Sequence, residues 1–365
     1  MASQRLASNR VTLGIRTMKK LRIGYQPLSK DLSHPGDRRR VVYWAKNRGH
    51  TVVTDFSKPV DVILLSERAN LSSLSKESHG APIIFDLVDA YFARESIAGD
   101  WIRGISKVAT GQLSGTPKPF TKSIESLCSR VAAVICSSPE QKSKISNFSD
   151  NVHVILDSHD ELPMVSFGQR NERSSHQLLW EGMPATMGGL KQIQPVLEVI
   201  CDQYPFKLQF VTNESYFLLL DRFFKRQTAS LLQKNLKRLS KESTIESWST
   251  SNLISSAKNS DLAIIPIKLA SPLQYLKPEN RLLIMWRLGL PCLTSASPSY
   301  VRVSKTANTE TVCETEHDWN TKITQLLKDV TLRESVVYRG QNYIREFHNA
   351  DLLLEKWDKA FMSVL

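Results

Sequence analysis

The sequence predicts an α/β protein of two Rossmann-like domains, each built on a doubly wound parallel sheet. Its 365 residues exceed what a single hydrophobic core usually serves. Short apolar runs alternate with helix-compatible segments in both halves, which is the pattern of parallel strands covered by helices on both faces. A polar stretch between about residues 157 and 175 separates the halves. We therefore expect one domain over residues 21–165 and a second over residues 175–350.

The composition is that of an ordinary folded protein, with 41% hydrophobic and 23% charged residues. The five cysteines form no Cys-x-x-Cys pair and no Cys/His ligand spacing, so we expect a reducing compartment and no metal site. No apolar stretch is long enough for a membrane span, and the first residues lack the apolar core of a secretory signal. The expected localisation is the cytoplasm.

The first 20 residues carry five basic side chains and no acidic one, and so account for +5 of the net charge of +12. An organelle transit peptide would have a similar composition. The run Met18-Lys19-Lys20-Leu21-Arg22-Ile23, however, is typical of the start of a bacterial domain. We expect residues 1–20 to be a disordered basic extension, with a transit peptide as the alternative.

The first domain begins with a β-loop-α unit. An apolar run over residues 21–25 precedes a polar loop, and a helical stretch from Arg38 to Arg48 ends at Gly49. Further strands of this domain are expected at residues 51–53, 60–65, 82–85, 131–136 and 152–155.

The second domain repeats this alternation. Its strands are expected at residues 177–180, 208–211, 244–246, 262–265 and 291–293. Beyond it, residues 351–365 place Leu353, Leu354, Trp357 and Phe361 at helical spacing. We expect a C-terminal helix that packs this apolar stripe on the body of the protein, in a position to bridge both domains.

The run from Lys277 to Thr294 predicts a helix, a tight turn and a buried strand. Pro278 suits a first helical turn, Gly289 suits a left-handed position after the helix, and Pro291 prevents continuation of the helix. This run resembles the donor-site signature in the C-terminal domain of family-four-like glycosyltransferases. In that signature a helix opens beside the nucleotide diphosphate and closes with Gly-x-Pro.

Other pieces of that pattern precede this run along the chain, in the order expected for the family. They are Leu179-Trp180-Glu181-Gly182 with a loop to Lys191, Ile264-Ile265-Pro266, and, near the start, Ile23-Gly24-Tyr25, Gly36-Asp37-Arg38 and Gly49-His50-Thr51-Val52. The resemblance implies a GT-B fold, in which two Rossmann-like domains face each other across a cleft. It also implies transfer of a sugar from a nucleotide sugar to a glycan or lipid-linked acceptor, as in surface polysaccharide synthesis. The resemblance further implies that the reaction retains the anomeric configuration, does not require a metal ion and uses no bound cofactor.

Four residues are the candidates for binding the donor diphosphate. The first turn of a helix offers unpaired N–H groups and a partial positive charge, which suit a phosphate. Lys191, Lys277 and Arg281 add full positive charges that would stabilise the leaving diphosphate. Asn280 has donor and acceptor atoms for the phosphate or the sugar. Solvated charges at helix starts are the alternative for these cations.

The sequence departs from the family pattern beside this site. Members commonly carry two glutamates eight residues apart that contact the sugar and the ribose, and Leu276 and Ile284 occupy those positions here. The arginine often found after the first strand of the C-terminal domain is also absent, with Glu181 and Gly182 at that point. A non-catalytic binding or scaffold protein of the same fold is therefore the alternative to an enzyme.

Acidic residues at a strand end are the candidates for the acceptor side. Asp86 and Asp89 lie at the end of a buried strand, where open α/β sheets bind ligands, and a carboxylate there could accept a proton from an acceptor hydroxyl. Gly36, Asp37 and Arg38 form a loop that could line the same cleft. Loop-fixing or capping roles are the alternative, and for Asp37 this would be a helix N-cap.

Residues 222–241 contain seven basic and no acidic side chains, interleaved with apolar ones. A basic amphipathic helix is typical of an anionic membrane surface or of a solvated face over a core stripe, so peripheral membrane contact is one hypothesis. Nucleic acid is not an expected partner, because no recognition motif accompanies the basic residues. No histidine has the spacing of a triad or a zinc centre, and His159 is the one expected near the domain contact.

Overall fold

A computed structural model describes residues 19–365 except residues 56, 68, 70–79, 95, 114, 169–174 and 220–222. The predicted extension over residues 1–20 lies almost entirely outside the described residues, as does part of the predicted linker. The chain forms two six-stranded sheets of parallel strands, and a hydrophobic core covers each face of each sheet. The predicted α/β fold with two parallel sheets is confirmed.

The first sheet lies in the N-terminal half. Its strands are β1 (Arg22–Gln26), β2 (Thr51–Val53), β3 (Val62–Ser66), β4 (Ile83–Leu87), β5 (Ala133–Cys136) and β6 (Val152–Val154). They are arranged in the order β2-β1-β3-β4-β5-β6, and every neighbouring pair is parallel. Because the order changes direction between β1 and β3, a crevice opens outside the carboxyl ends of these strands.

Helices connect these strands and cover both faces of the sheet. The helices described in this half are α1 (Pro35–Arg38), α2 (Val41–Arg48), α3 (Ile97–Ala109), α4 (Phe120–Cys128) and α5 (Pro139–Ile145). Successive strand residues point to opposite faces, so Leu64 packs in one core and Ile63 in the other. Gly49 ends α2 in the left-handed conformation, with φ 69°, as its position in the sequence predicts.

The C-terminal half contributes a second parallel sheet and a separate hairpin. Its strands are β7 (His176–Glu181), β8 (Phe206–Thr212), β9 (Ser215–Leu219), β10 (Phe223–Gln227), β11 (Ser243–Ser247), β12 (Leu262–Ile265), β13 (Cys292–Ser295) and β14 (Val312–Cys313). Strands β9 and β10 pair only with each other and are antiparallel. The other six are arranged β11-β8-β7-β12-β13-β14, which is the Rossmann order once the hairpin is left out.

The helices of this half follow the same alternation. They are α6 (Gly188–Gln203), α7 (Thr228–Leu236), α8 (Thr250–Lys258), α9 (Pro272–Tyr275), α10 (Asn280–Arg287), α11 (Pro298–Ala307), α12 (Glu316–Lys328) and α13 (Val330–Phe347). After α10, Gly289 turns the chain into β13 with φ 72°. A Cβ at Gly289 would lie 2.6 Å from the backbone oxygen of Val165, so no other residue fits this turn. No described helix combines the length and the apolar composition that a membrane span requires.

The last helix, α14 (Ala350–Met362), returns to the first half and packs on its sheet. Trp357 and Phe361 are fully buried beside Trp44 of α2. The Trp44 Nε1 donates to Asp358 Oδ1 at 2.8 Å, and Arg48 forms an ion pair with the same carboxylate at 2.6 Å. The predicted apolar stripe therefore covers the N-terminal core, although it belongs to the end of the chain.

The sequence predicted eleven of the strands, and β9, β10 and the short β14 were missed. The predicted amphipathic helix over residues 222–241 is wrong as a single element. Its first part is β10, which pairs with β9. Helix α7 ends at Leu236, because Lys237 has a φ of 45°, and a 3-10 turn over Lys237–Glu242 follows. Residues 223–227 form a strand because they pair with β9. The local pattern of charges does not reveal this pairing.

Candidate functional site

The carboxyl ends of the two sheets face each other, and side chains from both halves meet there. Gln141, on α5 of the first half, donates its Nε2 to the backbone oxygen of Leu276 in the second half at 3.1 Å. Nearby, the Lys277 Nζ lies 3.4 Å from Asp89 Oδ1, which again joins the halves. The two crevices at the sheet edges therefore form one cleft between the halves.

A second set of charges holds the halves together beside this cleft. Arg302 of α11 donates its Nε to Glu140 Oε1 of α5 at 2.7 Å, and its Nη2 lies 3.1 Å from Glu279 Oε2. Glu279 directly precedes α10, and only 4% of its side chain is exposed. Burial raises the pKa of Glu279, and the charge of Arg302 opposes this shift. Arg302 thus neutralises a buried carboxylate at the start of the candidate donor-site helix.

The order of the second sheet changes direction between β7 and β12, and the backbone is closely packed there. At Gly189, in the first turn of α6, a Cβ would lie 2.2 Å from the backbone oxygen of Pro266, directly after β12. Only glycine allows this approach. In sheets of this kind ligands bind at the direction change, where helix N-termini point their N–H groups at the crevice.

Arg281, the second residue of α10, lies at this point. Its guanidinium carbon is 5.1 Å from the centre of the Trp180 ring, and a Cβ at Gly182 would lie 3.1 Å from it. Its Nε lies 3.4 Å from Glu181 Oε2. Within the described part of the chain, the buried Nε and Nη2 of Arg281 have no hydrogen-bond partner. Arg281 therefore presents two buried donors without a hydrogen bond at the candidate donor site, on a side chain that is 19% exposed.

The other three predicted diphosphate residues lie at different places relative to Arg281. Lys277 reaches the cleft and pairs with Asp89. Asn280 contacts the region between the halves, because its Oδ1 lies 3.1 Å from His159 Nε2. Lys191 lies exposed in the first turns of α6. The structure brings Arg281 and the β7–α6 loop together, whereas the Lys277 side chain reaches across the cleft to Asp89 of the first half.

Asp89 is joined by a carboxylate that the sequence analysis missed. The backbone N–H of Asp89 donates to Glu67 Oε2 at 3.1 Å. Desolvation by the surrounding protein, followed by the charge of Asp89, raises the pKa of Glu67 to about 8. Glu67 follows the last residue of β3, so the strand-end reasoning that selected Asp89 would also have found it. A group with a pKa near 8 is suited to proton exchange at neutral pH.

Asp86 has a structural role, which corrects its assignment as a catalytic candidate. Its side chain is 2% exposed, and both oxygens accept hydrogen bonds from Arg40, at 2.8 Å from Nε and 2.5 Å from Nη2. Arg40 is fully buried and also contacts Asp157 at 3.0 Å. With both oxygens engaged below the surface, Asp86 has no access to a substrate. Its position on β4 points it into the core, whereas Asp89 lies beyond the strand.

Of the predicted cleft residues 36–38, Gly36 and Asp37 are buried and only Arg38 faces the other half. Asp37 is fully buried and accepts hydrogen bonds from the Tyr25 hydroxyl and from the backbone N–H groups of Leu28 and Ser29, so it fixes the β1–α1 loop. It is neither a cleft residue nor the predicted N-cap, because His34 occupies that position.

Its neighbours complete the loop. Gly36 is buried, and a Cβ there would lie 2.4 Å from the side chain of Leu28. Arg38 does face the other half, because its guanidinium carbon lies 5.6 Å from the centre of the Trp248 ring. The Trp248 Nε1 in turn donates to Glu181 at 3.0 Å. Arg38 is thus connected to the Arg281 site through Trp248 and Glu181.

The remaining candidate groups at the site are histidines and possible metal ligands. Burial lowers the pKa of His159 to about 3, so the ring that contacts Asn280 is neutral at pH 7. Among the residues that the structure describes, no group of three or more His, Cys, Asp or Glu side chains could hold a metal ion.

A polar cavity of about 530 Å³ lies away from the cleft, near the amino ends of β7 and β8. Several of its polar side chains bond to one another; Gln177 Nε2, for example, donates to Gln209 Oε1 at 2.7 Å. It lies at the opposite edge of the sheet from Arg281, so we do not place the candidate site there.

No family model and no curated protein sequence matches this chain. Among solved structures, it is similar to TarM, with a TM-score of 0.59 and 13% identity over 82% of this chain and 54% of the TarM chain. A glycosyltransferase from Rickettsia africae ESF-5 matches with a TM-score of 0.58 and 13% identity, over 95% of this chain and 99% of its own. The pneumococcal O-GlcNAc transferase GtfA, solved with UDP and GlcNAc, matches with a TM-score of 0.55 and 13% identity, over 83% and 57%.

These similarities concern the fold. The chain spans about half the length of TarM and of GtfA, and nearly the whole of the Rickettsia protein. It has the two-domain GT-B fold of these glycosyltransferases, as the sequence resemblance predicts.

Proposed function

We propose that this protein is a glycosyltransferase that moves a sugar from a nucleotide sugar to a glycan or lipid-linked acceptor in surface polysaccharide synthesis. One observation carries the proposal: Arg281 lies at the direction change of the second sheet, and its buried Nε and Nη2 make no hydrogen bond within the described residues, although Nε lies 3.4 Å from Glu181 Oε2. Leaving such donors unpaired costs free energy, and a diphosphate supplies acceptors of the complementary charge. The start of α6 adds N–H dipoles at the same edge.

The class of donor is argued from the structural neighbours. A mutant of S. aureus TarM was solved with fondaparinux, alpha-GlcNAc-glycerol and UDP, and pneumococcal GtfA was solved with UDP and GlcNAc. UDP-sugars are therefore the first donors to test. The acceptor would lie on the opposite wall of the cleft, beside Asp89 and Glu67.

The proposed chemistry assigns charge stabilisation to one wall and proton handling to the other. As the bond between the sugar and the diphosphate breaks, negative charge builds on the leaving group, and preorganised cations stabilise it by several kcal/mol. Arg281, Lys277 and Lys191 would supply these cations. Asp89 would orient the acceptor hydroxyl, and Glu67 would exchange a proton with it. Following the resemblance, we propose retention of configuration without a metal ion.

The test is binding and turnover of UDP-, GDP-, ADP- and CMP-sugars, measured by calorimetry and by release of the nucleoside diphosphate. Arg281→Ala should weaken binding of the preferred donor by about 10- to 100-fold, since hydrogen bonds to charged groups contribute about 1.5–3 kcal/mol each. Lys277→Ala should have a smaller effect. Arg226→Ala, which removes an exposed arginine on β10, is the matched control. Unchanged donor binding by Arg281→Ala, or no binding of any donor, would contradict the proposal.

A non-catalytic nucleotide-binding or scaffold protein is the second candidate. Both cations already have carboxylate partners, because Arg281 lies beside Glu181 and Lys277 beside Asp89. The glutamates common in the resembling family are replaced by Leu276 and Ile284, and Ile284 is buried. Nucleotide binding without hydrolysis or transfer to any glycan would favour this candidate. The five free thiols fit a reducing compartment, and we propose the cytoplasm for either function.

A further inference from the structure

The polar cavity of the second half lies on one face of its sheet, between strands β7, β8 and β11 and helix α8. Nine described residues line it, and all nine are polar. On the same face, two residues further along β7 and β8, Leu179 and Val211 are fully buried in an apolar core. Parallel strands covered by helices normally carry apolar side chains at such positions. Gln209, on β8 between two neighbouring strands, is only 6% exposed, so the polar lining departs from the pattern of the rest of the sheet.

Hydrogen bonds hold the side chains of this cavity in fixed positions. Gln209 Oε1 accepts from Gln177 Nε2 at 2.7 Å and from Thr244 Oγ1 at 2.8 Å. On α8, the Ser256 hydroxyl donates to Glu246 Oε2 at 3.0 Å and accepts from Gln209 Nε2 at 3.4 Å. One network therefore joins three strands and the facing helix. Such a network offsets the cost of burying amides, and it orients polar groups before a ligand arrives.

The chemistry of the lining indicates an uncharged ligand that is rich in hydroxyl groups. Six of the nine lining residues are serine, glutamine or asparagine, whose side chains both donate and accept hydrogen bonds. Lys207 and Glu246 add one charge of each sign, so the lining has no excess of positive charge for an anion. A carboxylate is also a strong acceptor for a hydroxyl. The volume of about 530 Å³ is in the range of small-molecule sites, and a sugar offers hydroxyls on all sides.

We propose that this cavity is a second carbohydrate site, which binds a neutral sugar unit of a glycan outside the cleft. Lys207 and Ser255 are exposed at its rim, so a longer glycan can extend from it into solvent. The cavity lies at the opposite edge of the second sheet from Arg281. A glycan held there stays close to the protein, which raises its effective concentration at other sites of the same chain. The inference goes beyond the proposed activity, because the cavity shares no residue with the cleft and would serve an enzyme or a binding protein alike.

The test is a ligand-detected NMR titration of the full chain with the methyl glycosides of glucose, galactose, mannose and N-acetylglucosamine. We expect at least one of them to bind in the millimolar range. Ser255→Phe places a large ring at the rim of the cavity and should abolish this binding. Glu246→Gln keeps an acceptor for Ser256 but removes the charge, and it should weaken binding about fivefold, because hydrogen bonds to charged groups are stronger than those to neutral ones. Arg281→Ala, which alters the cleft, should bind the glycoside like the wild type.

The matched control is Ser251→Phe, which introduces the same ring at an exposed position one turn earlier on α8, outside the cavity. It should bind the glycoside like the wild type, and thermal unfolding should show that both phenylalanine variants are folded. Four results would each overturn the proposal. No glycoside binds the wild type; Ser255→Phe or Glu246→Gln binds as tightly as the wild type; Arg281→Ala abolishes binding, which would place the sugar in the cleft; or inorganic phosphate binds at the cavity more tightly than every glycoside.

Discussion

The guanidinium of Arg281 and the carboxylate of Glu181 lie side by side at the carboxyl edge of the second sheet, with 3.4 Å between Nε and Oε2. Glu181 is held in place by Trp248, whose Nε1 donates to its other oxygen at 3.0 Å. A diphosphate bound to Arg281 would therefore approach a fixed negative charge. The positive charge of Arg281 is shared between the protein and the proposed ligand.

Replacement of Glu181 by glutamine should tighten nucleotide binding. Glu181→Gln removes the competing negative charge and keeps an oxygen that can accept from Trp248. We expect about a three- to tenfold lower Kd for the preferred nucleoside diphosphate, and tenfold corresponds to about 1.4 kcal/mol. Titration calorimetry measures this, with the exposed Glu334→Gln as control. Weaker binding would instead show that the charge of Glu181 is needed to position Arg281.

The buried pair of Arg40 and Asp86 should affect stability and not catalysis. Arg40→Met leaves Asp86 buried without its partner, and removal of one member of such a pair costs about 3–5 kcal/mol. The double change Arg40→Met with Asp86→Leu should recover part of that loss. Urea unfolding measures both. A lower kcat per folded molecule for Asp86→Asn, at unchanged stability, would restore Asp86 as a catalytic group.

Glu67 should make stability fall as pH rises through the neutral range. Its folded pKa is about 8 and its ordinary value is 4.5, so between these values the folded protein keeps a proton that the unfolded chain has lost. The stabilising contribution is complete below about pH 4.5 and is lost as pH rises through 8. Glu67→Gln should flatten this decline.

The comparison of wild type, Glu67→Gln and Glu334→Gln by thermal unfolding from pH 5 to pH 9 tests this prediction. The difference between wild type and Glu67→Gln should grow with pH in favour of the variant, while Glu334→Gln should follow the wild type. Parallel curves for all three proteins would show that Glu67 titrates at its ordinary pKa.

Arg302 should be important for the association of the two halves. Arg302→Ala removes the cation that pairs with both Glu140 and the buried Glu279, and we expect a loss of about 3 kcal/mol. Lys305→Ala, at an exposed position on the same helix, should have little effect. Denaturation followed separately by fluorescence and circular dichroism would show whether the halves still unfold together. A wild-type stability for Arg302→Ala would mean that Glu279 is protonated in the folded protein.

Much of this fold could be predicted from the sequence, because strands and turns of this kind require particular residue types. Apolar runs marked the strands, because a parallel strand buried on both faces needs apolar side chains throughout. Gly289 and Pro291 marked the end of α10, because left-handed geometry and a missing N–H restrict the residue types at those positions. The same local signals led to Arg281 and Asp89, which follow from their places at a helix start and beyond a strand end.

The sequence alone determined eleven strands of the two parallel sheets, the turn at Gly289 and the positions where charged groups follow strands. The tertiary structure decided which of those groups are available. Asp86 is occupied because Arg40 reaches it from 46 residues away, and the pKa of Glu67 is raised by burial and then by the charge of Asp89. Partners brought together by folding determine burial and charge pairing, and these contacts carry no signal in the local order of residues.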